Sequence, residues 1–574
     1  MDTRVIRRVT WVGFILLIGG LFYYQIIRGD YYLKRSKANY IRVIPQDTIR
    51  GSILDRNNTL LAFDKPTFSI AVIPYQIRNR KRRLFSELAS FLGVEEKDII
   101  DNYNRNLKSL FSPTVIMDNV SKEEALHIKE KFGDNVMIKE IPIRFYPFGY
   151  EFSHVLGYVK KAQVLYDKLK NYGYTPSQRV GFLGVEQYYD SYLRGEDGGK
   201  LVEVDSQERI VGFLGEQLPQ KGKDITLTID SRMQKIAYEA LSGYKGVVIL
   251  MDPNNGEILV LCVRPSYDLN NMTKGQGVRE LFSDKRKPLI NRAIQSTYPL
   301  GSVFKPIMAT AGLEEKVITK NTTFNCPGYF MLAGTKFSCW DVHGSQDVTE
   351  ALAHSCNVFF YNLGLRLGIE RISHWAKKFS LDKKTGIDLP YESKGFVPTP
   401  RWKRRYKKRI WFTGDTVNTS IGQGYLKATP LEALVAITVF ANGGYIVTPH
   451  LIKKVADKET LFVRKNYLNI SPYNLRIVKE GLRAVVSKST GTAHMLSSLY
   501  LGIAGKTGTA QNPGKPHGWF VGFFPYHNPK YSICICLENA GSSHEALGVA
   551  YKFLSRLKGE GLINTKAHVR INNQ

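Results

Sequence analysis

Acidic residues are scarce in this 574-residue chain: 51 Asp and Glu stand against 80 Lys and Arg, a formal net charge of +29. That deficit excludes an acidic, self-repelling tail-like chain and points to an anionic partner, whether nucleic acid, membrane headgroups or an anionic cell-wall polymer. Cysteine is sparse as well, six in all, too few for a disulfide-held scaffold of this length. Internal repeats and long low-complexity tracts are missing, which excludes a solenoid or a repetitive array. Long apolar runs are missing too, with one exception near the start, so the chain does not weave repeatedly through a membrane. What is present is 43% hydrophobic content, enough for at least two cores and hence a multidomain globular protein.

The exception is Val9 to Ile27, 19 residues in which Thr10 and Gln25 are the only clearly polar members. It is just long enough to cross a bilayer core as a helix. Arg4, Arg7 and Arg8 precede it, so the positive-inside rule keeps residues 1–8 cytoplasmic and everything after Arg28 outside. A signal peptide competes, but the run ends Tyr23, Tyr24, Gln25, Ile26, Ile27, with no small-x-small pair for cleavage. An uncleaved anchor over 9–27 is the expectation.

From 28 to 221, strand-like FSIAVIPY and charged helical SKEEALHIKEKFG alternate, which reads as a mixed α+β pedestal. DITLTIDSRMQKIAYEALSGY then moves from a strand into a helix capped by Asp230 or Ser231 and opens a second domain, 222–566, with 567–574 a tail. This domain begins with a hairpin, GVVILM and EILVLC around DPNNG, and closes with another, HGWFVGFFPY and YSICICLEN. Helical patterns lie between, so one antiparallel sheet built from both ends is expected, an α+β fold.

Three motifs fall in this domain in order: SVFK (Ser302 to Lys305), SCN (Ser355 to Asn357) and KTGT (Lys506 to Thr509). The turn YPLG leads into a helix, so Ser302 sits in a first turn where free N–H groups and the dipole favour negative charge. Lys305, three residues on, shares its face. Burial and repulsion from Lys506 would lower the Lys305 pKa, as a base requires. Ser355 and Asn357 alternate across a bend, so both can face one cleft while Cys356 points behind; Ser355 can relay a proton and Asn357 can bind a substrate amide. Gly508 permits close backbone approach, so a peptide can pair with this strand edge, and Lys506, Thr507 and Thr509 can hold a terminal carboxylate. The N–H groups of Ser302 and Thr509 are the natural oxyanion pair. Each motif alone reads as an exposed pair, a cap or a turn; the ordered triple does not.

Together the motifs resemble the penicillin-recognising serine acyltransferases. RGSILDRN, RFYPFGYEFSHVLGYV, GVEQYYDSYLRGEDG and PSYDLN look like pedestal and junction segments of the class B, monofunctional penicillin-binding proteins. NRAIQSTYPLGSVFKP, CPGYF, WDVHG and WFTGDTVNTSIGQG look most similar to the elongation-type branch, penicillin-binding protein 2. The resemblance implies helices around a five-stranded antiparallel sheet and transpeptidation of peptidoglycan stem peptides ending in D-Ala-D-Ala, with β-lactams acylating the same serine. Implied partners are a RodA-type membrane glycosyltransferase and the scaffold proteins MreC and MreD, with catalysis on the periplasmic side. A D,D-carboxypeptidase and a membrane-anchored β-lactam sensor are the alternatives.

Cys326, Cys339, His343 and Cys356 have the spacing C-x12-C-x3-H-x12-C, a Cys3His set suited to a closed, structural Zn2+ site. A Cys326 to Cys339 disulfide and chance clustering compete with it. Some elongation-type relatives resemble this segment with a metal held by carboxylate, His and Cys; His343 and Cys356 fit that pattern, while Cys326 and Cys339 replace carboxylates. Cys262, Cys534 and Cys536 read as buried apolar residues in strands. In RWKRRYKKR, Arg401 to Arg409, seven of nine residues are basic. Its position outside the cytoplasm opposes nucleic acid, and it reads as a solvated surface loop or an anionic glycan or lipid contact.

Overall fold

The computed structural model describes residues 2–107, 110, 113–172, 174, 178–205, 210–459 and 465–563; the tail 567–574 lies outside them. Contacts divide the chain into two compact units, one of Met1–Gly51, Asp64–Phe145 and Arg194–Gly222, the other of Ser52–Phe63, Tyr146–Leu193 and Lys223–Gln574. Compactness thus groups residues differently from the sequential division into 28–221 and 222–566. Local pairing is the reason. Ile53 and Leu54 run parallel to Ile225 and Thr226, and Asp55 accepts from Ser231 N at 3.0 Å and Ser231 Oγ at 2.6 Å, capping the helix that starts there. Tyr146, Phe152, Tyr158, Val185 and Leu193 share one core with Val247 and Ile249.

In the first unit, a helix over Thr3–Phe22 continues through a π turn, Tyr23–Ile27, and none of its residues is buried. Past Arg8 its side chains are apolar nearly all round, a pattern suited to lipid rather than to water. The strands Ile41–Gln46, Gly198–Val204 and Ile210–Gln217 form a three-stranded antiparallel sheet. A separate core gathers Leu84, Phe85, Ile99, Tyr103, Ile128 and Phe132 from three helices. Arg144 pairs with Asp64 at 3.4 Å out of solvent, and the other oxygen of Asp64 accepts from the Arg50 N–H.

The second unit holds a five-stranded antiparallel sheet of β1 (Gly246–Met251), β2 (Ile258–Arg264), β3 (Ala504–Ala510), β4 (His517–Phe524) and β5 (Tyr531–Leu537), in the order β2-β1-β5-β4-β3. Its two hairpins are those of the domain's two ends, joined where β1 pairs with β5. Val247, Ile249 and Met251 enter one core while Val248 and Leu250 enter another, so both faces are covered and the strand reads as an unbroken apolar run. Cys262, Cys534 and Cys536 are buried among these strands.

The principal helices are α1 (Ser231–Ala240), α2 (Lys305–Glu314), α3 (Val348–Ala353), α4 (Asn357–Lys378, broken at Gly368 where φ is 74°), α5 (Pro400–Lys407), α6 (Thr413–Ser420), α7 (Pro430–Ala441), α8 (Pro472–Ser487) and α9 (Ser543–Gly559). α1 and α9 contribute Ile236, Ala546 and Phe553 to one core; α7 is wholly buried in the other. The basic run to Lys407 is a helix, α5, instead of the expected loop, while Lys408 and Arg409 follow it outside the helix: Thr399 caps it by accepting from Trp402 N, Pro400 opens it, and Lys403 is buried.

Candidate active site

Ser302 lies in a single 3₁₀ turn, Gly301–Phe304, that runs into α2. The α-helix starts only at Lys305 because Pro306 has no N–H to offer the Ser302 carbonyl four residues back. In a 3₁₀ turn residues i and i+3 eclipse, which aligns Ser302 with Lys305. Gly301 is at φ 55°, and a Cβ there would stand 2.8 Å from the Thr509 carbonyl oxygen. Glycine is therefore required for the serine turn to approach β3.

Lys305 is fully buried on the same segment. Its amine donates to the Ser355 carbonyl at 2.6 Å, to Asn357 Oδ1 at 2.7 Å and to Ser355 Oγ at 3.3 Å. The Ser302 hydroxyl, half-buried, has no hydrogen bond among the described residues, so the lysine links the serine turn to the second motif instead of closing onto Ser302. Burial pushes the Lys305 amine down to about 8, with Cys356, Cys339 and Cys326 opposing by favouring the cation.

Ser355 sits between α3 and α4 at φ 55°, a left-handed conformation that costs a non-glycine residue of order 1 kcal/mol and is held here by its surroundings. Cys356 follows in extended backbone as the N-cap of α4, fully buried. This is the predicted alternation: Ser355 and Asn357 reach the Lys305 amine while Cys356 turns away.

β3 is the open edge of the sheet. Lys506 is fully buried with its amine 3.2 Å from the Thr507 carbonyl, and burial together with the Lys305 charge holds it well below the usual lysine range. A Cβ on Gly508 would meet Val303 at 2.9 Å and the Leu300 carbonyl at 3.0 Å, so this glycine admits the serine turn itself. Thr507 Oγ1 is 2.8 Å from Thr492 Oγ1, and Thr509 Oγ1 accepts from Ser543 N at 3.1 Å. Three motifs about 50 and 150 residues apart in sequence thus meet at one cleft.

Some positioning residues carry no local signal. Gly301 N donates to the Gly422 carbonyl at 2.9 Å, and Gln423 Nε2 donates to the Thr509 carbonyl at 3.3 Å. Both acceptor and donor come from the IGQG stretch after α6, whose part in the site only contact reveals. Thr492 and His354 are likewise silent in sequence. His354 reaches Gln346 Oε1 at 2.7 Å and Thr490 Oγ1 at 2.9 Å.

Behind the Ser355 to Asn357 bend, the ligating atoms of Cys326, Cys339, His343 and Cys356 lie within 4.8 Å of one another. His343 Nδ1 is 3.5 Å from both Cys326 Sγ and Cys339 Sγ. All six cysteines are free thiols. The Cys356 hydrogen bond pulls the Cys339 thiol down against its burial, and the Asn357 N–H at 3.2 Å adds to this; Cys356 moves up in return. A set of three sulfurs and one imidazole, with one sulfur already favouring the thiolate, fits a tetrahedral zinc donor set.

The geometry has close counterparts. The family model described as penicillin binding protein transpeptidase domain matches residues 246–557, and that of the penicillin-binding protein dimerisation domain matches 45–227. The peptidoglycan D,D-transpeptidase MrdA of Haemophilus influenzae is 33% identical, covering 95% of this chain and 90% of the relative. The penicillin-binding protein PBP2 of Helicobacter pylori, solved in complex with MreC, superposes with a TM-score of 0.82 at 29% identity over 92% of this chain and 100% of that one. A chain from a peptidoglycan synthase complex that coordinates polymerization and crosslinking has a TM-score of 0.74 at 29% identity, over 99% and 100%. The chain belongs to the penicillin-binding protein transpeptidases, within their elongation-type class B branch, and is a peptidoglycan D,D-transpeptidase.

Proposed function

We propose that Ser302 is the nucleophile by which this D,D-transpeptidase cross-links stem peptides and is acylated by β-lactams. The observation that carries the reading is the Lys305 amine, buried and pushed toward neutrality, bridging the serine turn to Ser355 and Asn357. Ser302 Oγ attacks the penultimate D-Ala carbonyl, its proton passing to Lys305; the bond to the terminal D-Ala breaks, and Ser355 relays a proton to the departing amine. An amine of a neighbouring stem peptide then attacks the ester, and Ser302 Oγ leaves with its proton restored. Asn357 holds a substrate amide, the N–H groups of Ser302 and Thr509 receive the oxyanion, and Lys506, Thr507 and Thr509 bind the terminal carboxylate, with the edge of β3 as the peptide's pairing strand.

Cys326, Cys339, His343 and Cys356 would hold a structural zinc ion. When bound, it tethers the segment behind Ser355 and Asn357 so that both side chains stay aimed at the cleft. The Thr3–Ile27 helix serves as a single-pass anchor, the arginines of its first two turns keeping the N-terminus cytoplasmic and the catalytic unit periplasmic. MreC and a peptidoglycan synthase partner are supported by the complexes of the relatives; a RodA-type glycosyltransferase as that synthase partner, and MreD, are further proposed partners.

Ser302→Ala should abolish labelling by a fluorescent penicillin and formation of cross-linked product from polymerised precursor. Labelling that survives in the mutant overturns the assignment; labelling of the wild type without cross-linking, glycosyltransferase present, favours a carboxypeptidase or a sensor.

A further inference from the structure

The catalytic reading leaves the basic run unused. Of its seven cations, only Lys403 turns inward, where its amine meets Asp415 Oδ2 at 2.5 Å and lies within 6 Å of the Trp411, Phe412 and Tyr425 rings. Arg401, Arg404, Arg405, Lys407, Lys408 and Arg409 are all exposed, and none makes an ion pair among the described residues. Beside them Tyr406, Ile410 and Phe412 stand 65%, 58% and 57% exposed. Six uncompensated like charges within nine residues, four of them on the two turns of α5, repel one another, and the fold keeps them together by pinning α5 through Lys403.

The same segment runs on to the cleft. Asp415, which holds Lys403, also accepts from Phe412 N at 2.7 Å and so caps α6. α6 packs closely on α4, where a Cβ on Gly364 would be 2.5 Å from Ser420 Cβ, and α4 begins at Asn357. After α6 come Gly422 and Gln423, bonded to Gly301 and Thr509. The cationic strip is therefore rigidly joined to both the serine turn and the β3 edge.

We propose that α5 and its extension to Phe412 form a docking strip for the uncross-linked glycan strand, its cations gripping the free carboxylates of successive stem peptides while the exposed rings pack on the sugars. This deepens the transpeptidase reading and rests on it. A single exposed pair contributes little, so the strip suits a polymer that offers many carboxylates at once. Its firm connection to the cleft favours the substrate strand over a lipid surface, because a strand held there is gripped by the segment whose far end bonds to the serine turn and to β3.

The test uses the full-length protein in neutral-lipid nanodiscs, with enzymatically polymerised, uncross-linked strands carrying stem pentapeptides. Arg404→Glu, Arg405→Glu and Lys407→Glu combined should weaken strand binding about tenfold or more and flatten its salt dependence. Amidating the strand carboxylates should weaken wild-type binding similarly, and the rate of acylation by penicillin should stay within about twofold because no group of the cleft is altered. Unchanged strand binding in the triple variant overturns the proposal, as does a loss seen only with phosphatidylglycerol vesicles, which would make the strip a membrane contact. Failure of the wild type to acylate with penicillin would instead strike the catalytic reading, since acylation needs no strand.

Discussion

Two groups of cations in this protein meet opposite fates. Lys305 and Lys506 are fully buried, bonded to named oxygens and pushed toward neutrality. The exposed cations of α5 stand in water and make no ion pair among the described residues. A base must shed its proton at working pH, which burial favours, whereas long-range attraction of an anionic polymer needs full charges in water. The difference shows that what a lysine does here follows from how many of its neighbours are water.

Substitutions should separate the two groups by size of effect. Lys305→Ala should lower the penicillin acylation rate by about 10² to 10⁴-fold with the fold intact. In the wild type the rate should rise with pH, pass half its maximum near 8 and level off above that, since the base works only when neutral and burial has brought its pKa down to about 8. A flat stopped-flow profile from pH 6 to 10 would break the comparison.

Next in size is the thiol cluster behind the cleft. Cys356→Ala, or chelation of the wild type, should lower the melting temperature by about 5 °C or more and slow acylation, while Cys262→Ala affects packing alone. Metal analysis of protein purified without chelator should give about one zinc per chain. Metal-free, fully active protein with Cys326 joined to Cys339 would remove the site.

Lys403 belongs to α5 by sequence and to the buried group by environment, so it sharpens the contrast. Lys403→Met should cost about 2–3 kcal/mol in denaturant unfolding, because it leaves the Asp415 carboxylate without its buried cation; the loss stays below that of a fully buried pair since the Asp415 side chain is 20% exposed. Arg404→Gln, one residue on, should shift the melting temperature by about 1 °C or less. Comparable losses for the two would mean that the exposed face is structurally bound after all.

The sequence by itself determined the apolar helix, the two hairpins and the three motifs, because periodicity, turn residues and motif order are local and survive without a fold. It also marked the four ligand-type residues of the thiol cluster by spacing. Only the tertiary structure decided that Lys305 bonds Ser355 and Asn357 and not Ser302, that Gly508 makes room for the serine turn, and that Gly422 and Gln423 brace it. It alone turned the basic run into a helix with one inward lysine, and drew 52–63 and 146–193 into the catalytic unit. These are contacts between segments tens to hundreds of residues apart, set by which surfaces exclude water together, and no local pattern of charge or hydropathy encodes them.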